Sequence, residues 1–179
     1  MNNYHLIYGG AMLEITYWTS FIQKEWTFFL VATEKGLCYV STSKEAIEAW
    51  RKKYYKTFEL VENSGKLIKY QKQYEEYFSG KRTIFDMPLD LQGTPFQKEV
   101  WKGLLQIPYG KTTCYSDIAN RIKRPKAVRA VGGAIGANPI LIAIPCHRII
   151  GKNGKLTGFS AGIPLKKALL QIENVPYKE

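Results

Sequence analysis

The spacing of apolar residues changes along this chain, and that change limits the folds that the chain can adopt. Residues 12–19, 27–33 and 36–42 are rich in aromatic and β-branched residues and are separated by short polar breaks, which predicts a small antiparallel sheet. Beyond Ser43 the apolar residues recur at helical spacing, first at Ala46, Ile47, Trp50 and Tyr54 and then at Leu67, Tyr70, Tyr74 and Tyr77. The first half is therefore predicted to be an α/β domain, a small antiparallel sheet with helices.

The second half is predicted to be mostly α-helical. Thr94, Pro95 and Gln97 have the spacing of a capping box with proline at the first helical position. The helix that they begin has an apolar face made of Phe96, Val100, Trp101 and Leu104.

Two further helical patterns follow in this half, over residues 114–122 and 126–138. The break between them ends at Pro125, which is typical of a helix-turn-helix. An Asn153-Gly154 turn signal and an amphipathic helix over 164–173 come next. We expect a winged-helix-like domain.

The domain boundary is predicted between residues 89 and 90. The segment 85–93 is rich in turn-forming residues, and the charge balance changes there. Residues 1–89 carry 12 Lys and Arg against 10 Asp and Glu, whereas residues 90–179 carry 14 against 5. This excess favours a polyanionic partner for the second domain, with a solubilising surface as the alternative.

Targeting signals and cysteine usage bear on location. No basic segment followed by an apolar run opens the sequence, and no apolar run approaches the roughly 18 residues of a membrane span. The three cysteines, Cys38, Cys114 and Cys146, form an odd and sparse set that suits free thiols in a reducing compartment. We expect a cytoplasmic protein with no membrane contact.

The second helix of the helix-turn-helix carries an unusual face. Its apolar side is formed by Val128, Val131 and Ile135, and the opposite side by Arg129, Gly132, Gly133 and Gly136. Each interior glycine costs about 1 kcal/mol of helix stability relative to alanine, so this face needs a reason. Close approach of a DNA duplex, with Arg129 entering the groove or base stack, is one reason; tight packing against a protein helix is the other.

Cys146 lies in the strand-like apolar run "IPCHRII", residues 144–150. Four roles compete for it: a buried structural cysteine, a zinc ligand, part of a base deaminase signature, and a nucleophile activated by His147. Metal-ligand spacing is missing, and the deaminase signature lacks its second cysteine and its H-x-E. The structural and nucleophilic roles remain, with Glu173 as the carboxylate that would orient His147.

These residues resemble a known family. "IPCHRII", together with "YSDIA", "KAVRAVGGAIGANP" and "GFSAG…KKALLQIE", is similar to the 6-O-alkylguanine-DNA alkyltransferases, also called methylated-DNA–protein-cysteine methyltransferases. The resemblance covers residues 94–173, and the first half is similar only loosely, as an α/β domain of ribonuclease H-like type. It implies direct reversal of DNA damage: one irreversible transfer of the alkyl group from a flipped 6-O-methylguanine, and from 4-O-methylthymine as a further lesion.

The resemblance also implies roles for individual residues. Cys146 would accept the alkyl group as a thiolate, with His147 and Glu173 as its activating relay through water. Asn138 would brace the turn, and Tyr115 would rotate the target phosphate and donate a proton to the leaving guanine. The residues implied to bind DNA are Arg129, Gly132, Gly133, Ala127 and Arg148, and those implied to line the base pocket are Phe159, Ser160, Lys166 and Ile149.

This sequence departs from the family pattern at two positions. Phe159 stands where some members have tyrosine, and Ala161 replaces the more usual glycine, which bears on lesion preference and not on the reaction. Some relatives bind zinc through the first domain, but His5 is the only histidine there, so neither a metal nor a cofactor is expected. We expect a monomer that acts on duplex DNA; the alternative is a DNA-binding regulator with a structural or redox-sensing Cys146.

Overall fold

The computed structural model describes residues 7–8, 11–12, 14–54 and 58–178. The chain divides into two compact units, Met1–Glu75 with Asp86–Asp90 and Glu76–Phe85 with Leu91–Glu179. The single boundary predicted at residues 89 and 90 differs from this division, because residues 76–85 belong to the second unit. No helix in the described part of the chain is long and apolar enough to cross a membrane.

The first unit is built on a four-stranded mixed sheet in the order β5-β4-β3-β6. Its strands are β3 (Glu14–Gln23), β4 (Trp26–Thr33), β5 (Gly36–Ser41) and β6 (Phe58–Glu62), preceded by the short antiparallel pair β1 (Ile7–Tyr8) and β2 (Ala11–Met12). The antiparallel meander predicted from the sequence is confirmed in β3, β4 and β5; Leu13 of its first run lies outside the described residues.

Strand β6 was not predicted, and it makes the sheet mixed because it pairs in parallel with β3. It follows helix α1 (Lys44–Tyr54), which provides the crossover that a parallel pair needs. Five residues between two helical patterns carry too little periodicity of their own to be recognised as a strand. The pairing with β3 defines this strand.

Helix α1 packs on one side of the sheet through Ile47 and Trp50, which are buried with Val31 and Cys38. Tyr39 stacks on Trp50 with ring centroids 4.8 Å apart. Helix α2 (Ser64–Phe78) follows β6, and the apolar stripe predicted for it is buried at Leu67, Tyr70, Tyr74 and Tyr77.

The second unit is helical, as predicted. Its helices are α3 (Pro95–Leu105), α4 (Tyr115–Arg121), α5 (Val128–Gly136) and α6 (Ile163–Ile172). The capping box at α3 is confirmed: Gln97 N donates to Thr94 Oγ1, and Thr94 N donates to Gln97 Oε1. The indole of Trp101 donates to the carbonyl of Ala134 and so ties α3 to α5.

Helices α4 and α5 form the predicted helix-turn-helix, joined by a 3₁₀ turn over Pro125–Ala127. Gly103 of α3 permits close packing here, since a Cβ on it would lie 3.3 Å from the Ile122 side chain. The predicted Asn153-Gly154 turn is closed by a hydrogen bond from Gly151 N to Lys155 O, and Gly154 has a φ of 81°. These contacts pack α3 against α4 and α5 without using any of the candidate site residues.

Candidate active site

A turn after α5 carries the candidate nucleophile. Asn138 accepts a hydrogen bond from Ile140 N through its side-chain oxygen, and its amide nitrogen donates to Ile144 O at 2.9 Å. Ile142 has a φ of 70°, a value that β-branched residues rarely adopt. The run expected to resemble a strand is therefore a braced turn that leads into a 3₁₀ helix, Cys146–Arg148.

The Cys146 thiol is buried, and its Sγ lies 2.9 Å from Nδ2 of Asn138, which donates to it. Burial raises the pKa of Cys146 to about 11, although the Asn138 hydrogen bond and the charge of Lys166 oppose this. The sulfur is therefore a protonated thiol at neutral pH. It needs a base before it can act as a nucleophile.

His147 is fully buried, and its Nε2 lies 2.8 Å from Oε1 of Glu173. Burial lowers the pKa of His147, although the carboxylate of Glu173 opposes this. Burial of Glu173 would raise its pKa, but hydrogen bonds from His147 and Arg148 prevail and lower it to about 2. An ionised carboxylate only accepts hydrogen bonds, so the imidazole proton belongs on Nε2.

This assignment leaves Nδ1 of His147 as the basic nitrogen. Nδ1 is buried and has no hydrogen-bond partner among the described residues. His147 directly follows Cys146 along the chain, so the residue next to the thiol carries a basic nitrogen that has no described partner.

The DNA contact that the resemblance implied for Arg148 does not agree with its position in the structure. The resemblance implied a DNA contact, but the side chain is buried, with its Nε 2.9 Å from Oε2 of Glu173 and its Nη1 bonded to the carbonyl of Ile107. A buried guanidinium needs a charged partner, and Glu173 is that partner. Arg148 therefore faces the interior and holds the carboxylate.

Two further groups bind Glu173 and were missed by the sequence reasoning. The hydroxyl of Tyr77 donates to Oε1 at 2.7 Å, and the backbone N–H of Gly110 donates to Oε2 at 3.0 Å. Tyr77 belonged to a helical stripe that predicts burial, which the structure confirms, but no sequence signal tells which polar atom a buried hydroxyl meets.

Lys166 is buried, and its ammonium donates to the carbonyls of Ile149 and Thr157. Burial lowers the pKa of Lys166 to about 8. Ile149 is also fully buried. The structure brings these two pocket residues together through the Ile149 backbone, and their contact with a base stays a prediction.

The remaining pocket residues lie on the segment that precedes α6. Phe159 is half-buried and Ser160 is exposed, and no described hydrogen bond joins Ser160 to the thiol. Tyr115, the first residue of α4, reaches the same segment, since its hydroxyl lies 2.8 Å from Oγ1 of Thr157. Thr157 thus touches both Tyr115 and Lys166, a link with no motif in the sequence to reveal it.

The glycine face of α5 is open. Arg129, Gly133 and Gly136 are exposed, and a Cβ added to either of these glycines would meet nothing within 4 Å. Gly132 is half-buried, with its Cβ position 3.7 Å from the ring of Tyr115, and Ala127 is half-buried at the start of the helix. Apart from this contact of Gly132 with Tyr115, no described residue outside this helix lies within 4 Å of the glycine Cβ positions on this face.

The other cysteines lie in different surroundings. Cys38 is buried and donates to the carbonyl of Val31, whereas Cys114 lies beside Asp117 at the start of α4. All three cysteines are free. The described residues contain no group of three or more His, Cys, Asp or Glu placed to hold a metal ion, and His5 lies outside them.

Comparison with known proteins identifies the class. The profile described as "6-O-methylguanine DNA methyltransferase, DNA binding domain" matches residues 95–175, and that described as "6-O-methylguanine DNA methyltransferase, ribonuclease-like domain" matches residues 16–91. The inducible methylated-DNA–protein-cysteine methyltransferase of Bacillus subtilis is 48% identical over 160 residues, which cover 88% of this chain and 89% of that protein. The methylated-DNA–protein-cysteine methyltransferase of Methanosarcina mazei is 47% identical over 144 residues, which cover 80% of this chain and 88% of that protein.

A solved structure agrees with these relatives. The crystal structure of Mycobacterium tuberculosis OGT in complex with DNA superposes with a TM-score of 0.77 at 39% identity, covering 88% of this chain and 92% of that one. The α/β unit and the helix-turn-helix unit thus have counterparts in one protein. This chain belongs to the methylated-DNA–protein-cysteine methyltransferase family.

Proposed function

We propose that this protein repairs DNA by direct reversal, moving the alkyl group of 6-O-methylguanine, and of 4-O-methylthymine as a second lesion, to the sulfur of Cys146. One observation carries the assignment of the acceptor. The buried free thiol of Cys146 is held by Asn138 and is followed directly by His147, whose Nδ1 is the basic nitrogen. Family membership supports DNA as the substrate.

The reaction begins with loss of the thiol proton. This proton passes through a bridging water to Nδ1 of His147, and Glu173 stabilises the imidazolium that forms. The S–C bond then forms while the bond between the methyl carbon and the guanine oxygen breaks. Tyr115 gives its hydroxyl proton to the departing guanine and takes a proton back from solvent. The imidazolium of His147 releases the former thiol proton to solvent, so that overall a proton replaces the methyl group on the guanine.

The lesion must leave the duplex before the sulfur can reach it, because Cys146 is buried. An alkylated base pairs poorly, which lowers the cost of extrusion and supplies part of the selectivity. Phe159 is proposed to pack the extruded base, and Ser160 to donate to the lesion oxygen. Lys166 would place a cation beside this pocket.

Docking on DNA is assigned to α5. Its open face permits close approach of the duplex, with Gly133 near the backbone and Ala127 at the edge of the contact, and Arg129 would fill the gap left by the extruded nucleotide. Gly132 has no side chain, which leaves room between the docked duplex and the ring of Tyr115. The excess of positive charge in residues 90–179 favours phosphate contact.

Each molecule is proposed to act once. The methylated cysteine has no good leaving group, because the thiolate of Cys146 would have to leave when the methyl group is removed. The described contacts of Cys38 and Cys114 do not bring a second thiol to Cys146. The free thiols also favour a cytoplasmic location, and the protein is proposed to act as a monomer.

Intact mass measurement tests the proposal. After incubation with a duplex that carries one 6-O-methylguanine, the protein should gain the mass of one methylene unit, and peptide mapping should place the methyl group on Cys146. Unmodified duplex is the control. A protein that binds the lesion duplex but gains no mass would act as a DNA-binding regulator instead.

A further inference from the structure

Tyr77 contributes a side chain to the Glu173 cluster from a part of the sequence far from the cysteine motif. It lies near the end of α2 and is fully buried. Its hydroxyl oxygen is 2.7 Å from Oε1 of Glu173 and 3.5 Å from Nε2 of His147. The hydroxyl therefore donates to the same carboxylate oxygen that accepts the hydrogen bond from His147.

Packing does not require this hydroxyl. The ring of Tyr77 contacts the rings of Phe78, Phe85 and Tyr109 at centroid distances between 5.6 and 6.1 Å, and a phenylalanine ring would make the same contacts. A buried hydroxyl has to recover its lost hydration through a hydrogen bond, and here it does so on an ionised carboxylate. Such charge-assisted bonds are about twice as strong as neutral ones.

Arg148 holds both carboxylate oxygens of Glu173, with its Nε 2.9 Å from Oε2 and its Nη2 3.0 Å from Oε1. Gly110 N adds a hydrogen bond to Oε2, and the hydroxyl of Tyr77 adds the shortest bond to Oε1. Without this hydroxyl, Oε1 would lean toward the guanidinium of Arg148 and away from His147. Burial and the charge of Glu173 raise the pKa of Tyr77 far above neutrality, so its hydroxyl stays a donor throughout the working range. It gives Oε1 a donor other than Arg148 and His147.

We propose that Tyr77 is a positioning residue for alkyl transfer, whose hydroxyl holds Oε1 of Glu173 at hydrogen-bond distance from Nε2 of His147. This inference rests on the proposed function of Cys146. With the hydroxyl removed, Glu173 would stabilise the imidazolium less well, so His147 would become a weaker base. The charged groups that bear on the protonation of His147 are Glu173, Arg148 and Lys166, and the hydroxyl of Tyr77 lies 3.5 Å from its Nε2.

The test compares Tyr77→Phe with Tyr109→Phe in the full chain. Tyr109 is a matched control because it lies edge-on to Tyr77 and its hydroxyl donates to a backbone carbonyl, that of Ile172. Single-turnover rates of Cys146 methylation are measured with saturating lesion duplex across the pH range in which histidine titrates. Tyr77→Phe should be roughly tenfold slower, as expected for part of a charge-assisted hydrogen bond, and the midpoint of its pH profile should move to lower pH.

Several results would overturn the inference. They are a parent-like rate and profile for Tyr77→Phe, a midpoint that moves to higher pH, an equal loss in Tyr109→Phe, and failure of Tyr77→Phe to fold. Methylation of Cys146 in the parent protein tests the proposed function separately, so the two failures are distinguishable.

A second variant separates positioning from structure. In a Glu173→Gln background the carboxylate that Tyr77 is proposed to hold is missing, so adding Tyr77→Phe should slow transfer less than about twofold. Rates are corrected for the fraction of folded protein. The same tenfold loss in both backgrounds would mean that Tyr77 acts independently of Glu173, which would contradict the proposal.

Discussion

The side-chain amide of Asn138 donates a hydrogen bond of 2.9 Å to the sulfur of Cys146. Asn138 is the second residue after α5, the helix whose open face is proposed to contact DNA. One side chain therefore connects the end of that helix with the acceptor. The same nitrogen also donates to the carbonyl of Ile144, so the position of the sulfur is fixed relative to the turn that carries it.

Replacing Asn138 by alanine should destabilise the protein by about 2–3 kcal/mol, because buried partners at Ile140 and Ile144 lose their hydrogen bonds. Denaturant unfolding measures this loss. The matched control is Asn153→Ala, which removes a similar side-chain bond in an exposed turn and should change stability by less than about 0.5 kcal/mol. Equal losses in the two variants would contradict the bracing role of Asn138.

Cys146→Ala should abolish alkyl transfer and leave lesion binding largely intact, because the change removes the acceptor without altering the charged surface. Mass measurement and DNA binding together check this. Cys38→Ser and Cys114→Ser should retain transfer, since no described contact places either thiol beside His147. Methyl transfer by Cys146→Ala would refute the assignment of the acceptor.

Acid should destabilise the protein through Glu173. Its pKa of about 2 lies below the unfolded value, so the stabilisation is complete above the unfolded pKa of about 4.3 and disappears as the pH falls from about 5 towards 2. The shift corresponds to about 3 kcal/mol. His147, with its lowered pKa, also makes the free energy of unfolding fall once the pH drops below about 6.5. The contribution of Glu173 is therefore measured below about pH 5.

Glu173→Gln should flatten this part of the stability curve, because glutamine does not titrate. Unfolding free energies of the parent and the variant, measured at several acidic pH values, provide the check. Parallel curves would mean that Glu173 is not the titrating group. The variant will be less stable at neutral pH, since Arg148 keeps a buried charge without its partner.

The sequence predicted the helical elements of this protein more completely than its sheet. Thr94 and Gln97 form a local capping signal, and it was confirmed because such signals depend only on neighbouring residues. Strand β6 depends on a partner distant in sequence, and it was missed. The same difference applies to the site: the motif supplied Cys146, His147 and Glu173, whereas the contact of Tyr77 exists only after the chain has folded.

Arg129→Ala should slow repair of the lesion in duplex DNA and affect reaction with the free modified base far less, because a free base needs no extrusion. Transfer rates with the two substrates measure this difference. If Arg129 only contacts phosphate, the variant should lose affinity equally for damaged and undamaged DNA, with a shallower salt dependence. That result would contradict the proposed insertion into the base stack.

Gly133→Leu tests whether the open face of α5 contacts the duplex. A Cβ at Gly133 meets nothing within 4 Å, so leucine fits the folded protein and should stabilise the helix by up to about 1 kcal/mol. The bulky side chain should nevertheless block the duplex, and repair of duplex DNA should fall at least about tenfold while reaction with free base is retained. Thermal unfolding and the two transfer rates measure these effects.

Gly132→Leu is the informative companion variant. Its Cβ would lie 3.7 Å from the ring of Tyr115, so a longer side chain presses on the proposed proton donor as well as on the duplex. Reaction with free base should therefore fall in Gly132→Leu and persist in Gly133→Leu. If Gly133→Leu unfolds the protein or repairs duplex DNA at the parent rate, the glycine face does not contact DNA, even where Cys146 is shown to be the acceptor.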